Sequence, residues 1–349
     1  MSYPFASPLR ALCLIALGLG LFASVARADL VWSEQGGWHV EGGAIAGLTG
    51  RDGQTALALM NKARSAEERH SYHSAIKNYR KVTTKYSSSI YAPEAYYRIA
   101  QIYMSRKQYF NAFAAYQNII SRFPNERRFT EINKAEYHIA SLLLDGARNH
   151  VWGWLPLFRN RERSVSYFEI VFSNAPYADY APLVLMNAAR AGQYLGAPDA
   201  AIDELDRLIN NYPQSALAPD AYLLISELHA SLVEGPAYDQ AETKQAITYN
   251  EDFMILFPND PKIGTAATDL DLRKKTLAES KITMGDFFFY KRDNIPAARV
   301  FYNEAITAYP DSDVAKKARV RLDAVEAKAA AIANPAAAPA PKKKHFLFF

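Results

Sequence analysis

The raw material for chemistry in this chain is seven histidines, 36 acidic residues and a single cysteine, Cys13, among 349 residues. His70 and His73 stand three apart with Glu67 nearby, a spacing that on a helix would place two imidazoles on one face where a metal is geometrically allowed. Two histidines on so charged a stretch read more readily as solvated surface. His138 and His229 fall inside apolar-periodic stretches and read as partly buried packing residues, while His39 and His150 lie in segments without ligand partners. Asp269, Asp271 and Glu279 share a stretch with Arg273, Lys274 and Lys275. That mixture reads as an ion-pair-laced helix face rather than an acid and its base. No nucleophile elbow, zinc-binding H-E-x-x-H, phosphate loop or cysteine pair occurs. The expectation is a non-enzyme without metal or cofactor.

Composition narrows the partner class. The chain is 50% hydrophobic and 22% charged, which is ordinary for a folded globular chain. Its formal charge of +4 includes Arg10 and Arg27 near the start and Lys342, Lys343 and Lys344 near the end. The body between is close to neutral and cannot supply the phosphate neutralisation that drives nucleic-acid binding, so nucleic acid is not an expected partner. Residues 1–28 read as a secretory signal: Arg10, an apolar run over 11–22, then Ala26-Arg27-Ala28 as a cleavage site. The run is shorter than the roughly 20 residues a membrane-crossing helix needs. Cys13 would leave with the signal, so no disulfide is expected, and it is poorly placed for lipidation.

The elements that would carry any site repeat. Residues 86–95, 175–184, 212–221 and 309–318 restart with similar wording, an aromatic or small residue, Pro or Ser, then the opening of a helix. Pro93, Pro182 and Pro219 suit a first helical turn, where proline's missing N–H has no intrahelical partner to lose. The unit resembles the tetratricopeptide repeat, a helix hairpin of about 34 residues. Residues 93–126 carry its pattern: Tyr96, Ile99, Ala100 and Tyr103 on one helix, then Tyr109, Ala112, Tyr116, Ile119 and Pro124. Lys107 stands at the usual turn glycine. Ala75/Tyr79/Val82, Ala201/Leu205/Leu208 and Ala298/Tyr302/Ala305 mark further second helices. The expected fold is all-α, a right-handed tetratricopeptide solenoid of about six hairpins over 54–332, the last piece being a closing helix from Asp313. No sustained strand alternation is visible.

Four segments depart from the array. Residues 29–53 read as an irregular Gly/aromatic segment that packs on the first hairpin or adds a strand to a partner. Two insertions stretch the repeats, at 145–163 and 233–244. The first puts Trp152, Trp154, Leu155, Leu157 and Phe158 on a loop. It reads either as packing over a neighbouring repeat or as a docking element for a partner or a membrane face; the second reads as a plain turn. Residues 333–349 are a Pro/Ala linker and a basic-aromatic tail.

By the repeat pattern, first helices line a peptide groove with Arg64 and Glu68, then Glu94, Tyr97 and Gln101, then Lys134, Tyr137 and Ser141. The two tyrosines read equally well as contacts between hairpins. Farther on, Leu272-Arg-Lys-Lys-Thr-Leu-Ala-Glu279, Gly285-Asp-Phe-Phe-Phe-Tyr-Lys-Arg292, Ala297-Ala-Arg-Val-Phe-Tyr302 and Tyr309-Pro-Asp-Ser312 together resemble the BamD family of outer-membrane assembly proteins. The resemblance implies a periplasmic scaffold at the inner face of the outer membrane. It would bind a POTRA-bearing β-barrel insertase and unfolded outer-membrane proteins, with Asp286, Lys291, Arg292 and Arg299 as exposed docking candidates. Peripheral outer-membrane association would follow. The departures are the missing lipidation cysteine, one hairpin more than most members, and the tail. The alternative reading is a periplasmic adaptor for cell-wall synthesis, envelope constriction or secretion.

Overall fold

The computed structural model describes residues 29–41, 51–233 and 240–334. The signal at 1–28 with Cys13, residues 234–239 of the second insertion and the tail with Lys342–Lys344 lie outside the described residues. Thirteen α-helices follow β1 (Asp29–Ser33) and β2 (Gly37–Glu41) among the described residues. They are α1 (Arg51–Glu68), α2 (Tyr72–Lys85), α3 (Tyr91–Ser105), α4 (Tyr109–Arg122) and α5 (Phe129–Leu144), after which β3 (Arg148–Val151) and β4 (Leu155–Arg159) interrupt the series. Then come α6 (Glu162–Asn174), α7 (Ala181–Tyr194), α8 (Pro198–Asn211), α9 (Ala218–Ser231), α10 (Ala241–Leu256), α11 (Ile263–Asp286), α12 (Ile295–Ala308) and α13 (Asp313–Ala333). A π-helical turn, Phe287–Lys291, links the end of α11 to the approach to α12. Residues 241–244, expected in a plain turn, are the first turn of α10.

The chain divides into two compact units at Tyr167/Phe168, inside α6. In the first, Ala56, Met60 and Ala63 form the inward stripe of α1, and Ala75, Tyr79 and Val82 that of α2; all are fully buried. Ala95, Ala100 and Ala112 are equally buried in α3 and α4. Small side chains at these positions let neighbouring helices approach closely, while Tyr79, Tyr91, Ile119 and Ile132 fill the volume beside them. The second unit repeats the scheme. Leu185, Ala189, Ala201, Leu205, Leu208, Ala218 and Ile225 form one cluster, and Ala278, Ile282, Ala298, Tyr302 and Ala305 another.

The turns inside the hairpins share one device. His70 (φ 56°), Lys107 (φ 56°), Gly146 (φ 88°) and Gly196 (φ 71°) each follow a first helix in the left-handed region. In each case the next amide reaches back to the carbonyl five residues earlier: Ser71 to Ala66, Gln108 to Tyr103, Ala147 to Leu142, and Ala197 to Gly192. The left-handed residue itself donates to the carbonyl three back, which completes a Schellman closure and satisfies the last helical carbonyls. His70 therefore sits in a turn, and the expected shared helix face with His73 does not form. The last hairpin differs: Asp293 (φ 50°) follows the π-helical turn, and the Asn294 amide bonds the Phe288 carbonyl at 3.0 Å. Asn294 and Ser312 then cap α12 and α13 through their side chains.

Two segments read without strands are antiparallel hairpins. β1 and β2 pair with Trp32 opposite Trp38. Of the segment 29–53 read as irregular, residues 51–53 open α1 and residues 29–41 pack on that helix: the Trp38 amide donates to Asn61 Oδ1 at 2.7 Å, and Arg64 lies 5.0 Å over the Trp32 ring. β3 and β4 turn through Trp152 (φ 54°) and Gly153 (φ 81°). Every residue of β4 is exposed, so the sequence carries no inside/outside alternation to read. A two-stranded ribbon is marginal alone. This one is pinned at its base, where the His150 amide donates to the Lys107 carbonyl at 2.8 Å and Asn149 Oδ1 accepts from the Phe110 amide at 3.1 Å.

Candidate functional site

The residues placed in the groove lie on the first helices α1, α3 and α5 of the first unit. Arg64 pairs with Glu68 at 3.1 Å and with Glu67 at 3.5 Å. Glu67 also receives the Arg98 guanidinium from α3 and the Tyr79 hydroxyl from α2, the latter at 3.0 Å. Arg98 donates to Gln101 Oε1 at 3.1 Å as well. One turn earlier on α3, Glu94 pairs with Arg128 at 2.7 Å, just before α5. The Tyr97 hydroxyl donates to the Glu131 carboxylate, with Arg128 4.2 Å over its ring. On α5, the Ser141 hydroxyl donates to the Tyr137 carbonyl at 3.0 Å. Glu68 and Lys134 are exposed, and Tyr137 is half-buried.

These contacts tie each first helix to the next. Burial raises the Glu94 carboxyl above the ordinary range against the pull of Arg128. Burial, then the Glu131 hydrogen bond, pushes the Tyr97 phenol up to about 12. A peptide reading this face would meet exposed Glu68, Glu131 and Lys134 first, and would have to exchange hydrogen bonds with the ladder behind them.

The C-terminal docking candidates do not share one state. Asp286, read as exposed, is half-buried: its Oδ1 accepts from the Tyr302 hydroxyl at 2.6 Å and lies 3.5 Å from Arg321. It is part of the packing between α11 and α12. Arg299 is exposed but engaged, with a two-pronged pair to Glu326 at 2.6 and 2.8 Å. Lys291 and Arg292 are exposed, and Arg292 lies 5.3 Å over the Phe287 ring.

Trp152 and Trp154 sit at the tip of β3–β4, exposed at 67% and 68%. Of the two readings, packing over a neighbouring repeat does not describe the indoles, which stand largely in water, although Arg106 holds the Trp152 carbonyl. His138, expected partly buried, is exposed. His229 is half-buried, pairs with Glu242 at 2.6 Å and stacks on Tyr249. Lys274 pairs with Glu251 of α10 at 2.6 Å, and the Tyr309 hydroxyl donates to Asp271, so both contacts leave α11 for other elements. Among the described residues no group of three or more His, Cys, Asp and Glu is placed to hold a metal, and no helix is long and apolar enough to cross a membrane.

One charged constellation escaped the sequence reading. In the second unit, Arg207 of α8 donates to Glu204 and to Glu169 of α6, each at 2.9 Å. Burial, then the hydrogen bond and charge of Glu169, push the Glu204 carboxyl up to about 8, while the shared hydrogen bond lowers Glu169. The two carboxylates are 35 positions apart in sequence, and no local motif marks the pair.

A tetratricopeptide-repeat family model matches residues 94–126 and 183–215, the α3–α4 and α7–α8 hairpins. The fold is an all-α tetratricopeptide fold. Tetratricopeptide arrays present side chains of successive hairpins to protein partners. A curated relative, outer membrane protein assembly factor BamD of Caulobacter vibrioides, is 26% identical over 139 residues, which is 40% of this chain. The match spans 45% of that relative's length, less than two thirds of it. Among solved structures, a tetratricopeptide protein of Parabacteroides merdae is 11% identical with a TM-score of 0.31, over 78% of this chain and 100% of that one. The Pseudomonas aeruginosa PilF structure is 11% identical with a TM-score of 0.28, over 79% and 99%.

Proposed function

We propose that this tetratricopeptide chain is a non-catalytic scaffold of outer-membrane protein assembly, BamD-like, acting in the periplasm at the inner face of the outer membrane. The observation that carries the reading is the sequence match to the Caulobacter assembly factor. The secretory-type leader and the wording of residues 272–312 support it. In this reading the first-helix face from Arg64 to Ser141 receives extended segments of unfolded outer-membrane proteins. A POTRA-bearing insertase docks beside the π-helical turn, where Lys291 and Arg292 offer exposed positive charge. Asp286 and Arg299 hold that surface in shape through Tyr302, Arg321 and Glu326.

The test is in-cell crosslinking and purification of the chain tagged near Asp29, followed by mass spectrometry. Enrichment of a POTRA-bearing insertase, reduced by Lys291→Glu with Arg292→Glu, is the expected result. A catch of cell-wall or secretion proteins without the insertase would overturn the assembly reading in favour of an adaptor. Capture of the insertase unchanged by the charge reversals would move the docking site elsewhere.

A further inference from the structure

The β3–β4 hairpin ends in eight consecutive residues without charge, Val151-Trp-Gly-Trp-Leu-Pro-Leu-Phe158. Phe158 is 94% exposed, and the Trp152 and Trp154 rings lie side by side with centroids 6.4 Å apart. A contiguous aromatic cluster left in water marks an interaction surface. Paired indoles are the side chains that settle at the headgroup level of a bilayer. Immediately behind this tip the surface turns cationic. Arg148 and Arg159 are direct cross-strand partners, both exposed. Like charges opposite each other in a ladder repel, a cost that an anion between them relieves. Beside Trp152 lies a cleft of about 490 Å³ lined by His73, Lys77, Arg80, Lys81 and Arg106, and no acidic residue lines it. Arg106 donates to the Trp152 carbonyl and lies 5.4 Å over the Tyr72 ring, so tip and cleft are joined through one guanidinium.

We infer that this hairpin is a membrane-surface anchor: the apolar tip enters the interfacial layer of a phospholipid bilayer while the cleft and the Arg148/Arg159 pair take anionic headgroup phosphates. The reach fits. Four residues from the arginine pair to the turn, at about 3.3 Å each, span roughly 13 Å, which enters one leaflet without crossing the bilayer. The charge pattern selects a lipid surface over a protein groove, because an apolar tip backed by a cleft without acids and by an arginine pair follows the order of acyl boundary and phosphate layer. The inference stands independently of which protein the helices bind.

The test is flotation of the full chain with vesicles of phosphatidylcholine alone or mixed with phosphatidylglycerol, together with tryptophan quenching by brominated lipid. Wild type should float with the anionic vesicles, less so at high salt, and its emission should be quenched. Trp152→Ser with Trp154→Ser should lower partitioning by about tenfold and abolish quenching, leaving Trp32 and Trp38 as emitters. Lys77→Glu with Lys81→Glu should remove the preference for anionic vesicles. Inorganic phosphate at matched ionic strength should not displace the chain, and displacement would mean a free-phosphate site instead. Flotation unchanged in the tryptophan variant would place the lipid contact elsewhere and overturn the inference, as would no flotation of wild type. All four substituted side chains are exposed, and circular dichroism of the variants should match wild type.

Discussion

Tyr302 lies against Gly285 so closely that a methyl group on Gly285 would sit 2.6 Å from the ring carbon Cε1 of Tyr302. The ring is fully buried, and its hydroxyl is fixed on Asp286, so it has no room to retreat. Gly285→Ala should therefore destabilise the chain by about 1–3 kcal/mol. Urea denaturation checks it, and an unchanged midpoint would show that α11 and α12 can separate freely.

Lys107 and Gly196 make a pair of opposite predictions. Lys107 holds φ 56° with a side chain that disfavours it, so Lys107→Gly should stabilise by about 0.5–1 kcal/mol. Gly196 holds φ 71°, and a methyl group there would have nothing within 4 Å of it, so Gly196→Ala should cost about 1 kcal/mol from backbone strain alone. Thermal melts of the two variants should shift in opposite directions.

Glu67 binds Arg98 and Tyr79 at once. Glu67→Ala leaves a half-buried guanidinium and a buried phenol without their acceptor and should cost about 2–3 kcal/mol. The Arg64 to Glu68 pair on the exposed side of α1 should matter far less, with Glu68→Ala changing stability by less than about 0.5 kcal/mol. Equal losses from the two would contradict the ladder.

Glu204 makes stability depend on pH. Its carboxyl is raised to about 8, so between the ordinary carboxylate range and that value the folded chain keeps a proton the unfolded chain has released. Raising the pH through this window favours the unfolded chain, and stability should fall on the order of 1 kcal/mol after solvent screening. Glu169 is lowered, so its contribution is lost only in acid, as pH falls through its folded value. Melting curves of Glu204→Gln should be flat across the upper window where wild type declines.

The helical array is legible in the sequence because its signals are local. Ala75, Tyr79 and Val82 recur as Ala201, Leu205 and Leu208 and as Ala298, Tyr302 and Ala305, and all nine side chains are fully buried. A spacing of three or four on a helix decides which side faces inward whatever lies opposite. Pro182 and Pro219 likewise open α7 and α9, since a proline's geometry acts within one turn. Which polar groups meet was decided by the tertiary structure. Glu67 finds Arg98 31 positions away, Glu204 finds Glu169, and Asp286 turns inward to Tyr302 because α12 packs where Gly285 admits it. The same holds for the tryptophans. The hairpin that carries them is held by the His150 amide on the Lys107 carbonyl and by Arg106 on the Trp152 carbonyl, contacts between elements that no periodicity records. Burial periodicity is a property of one element. Pairing and exposure of polar and inserted residues belong to the contacts between elements, and they exist only once the helices have stacked.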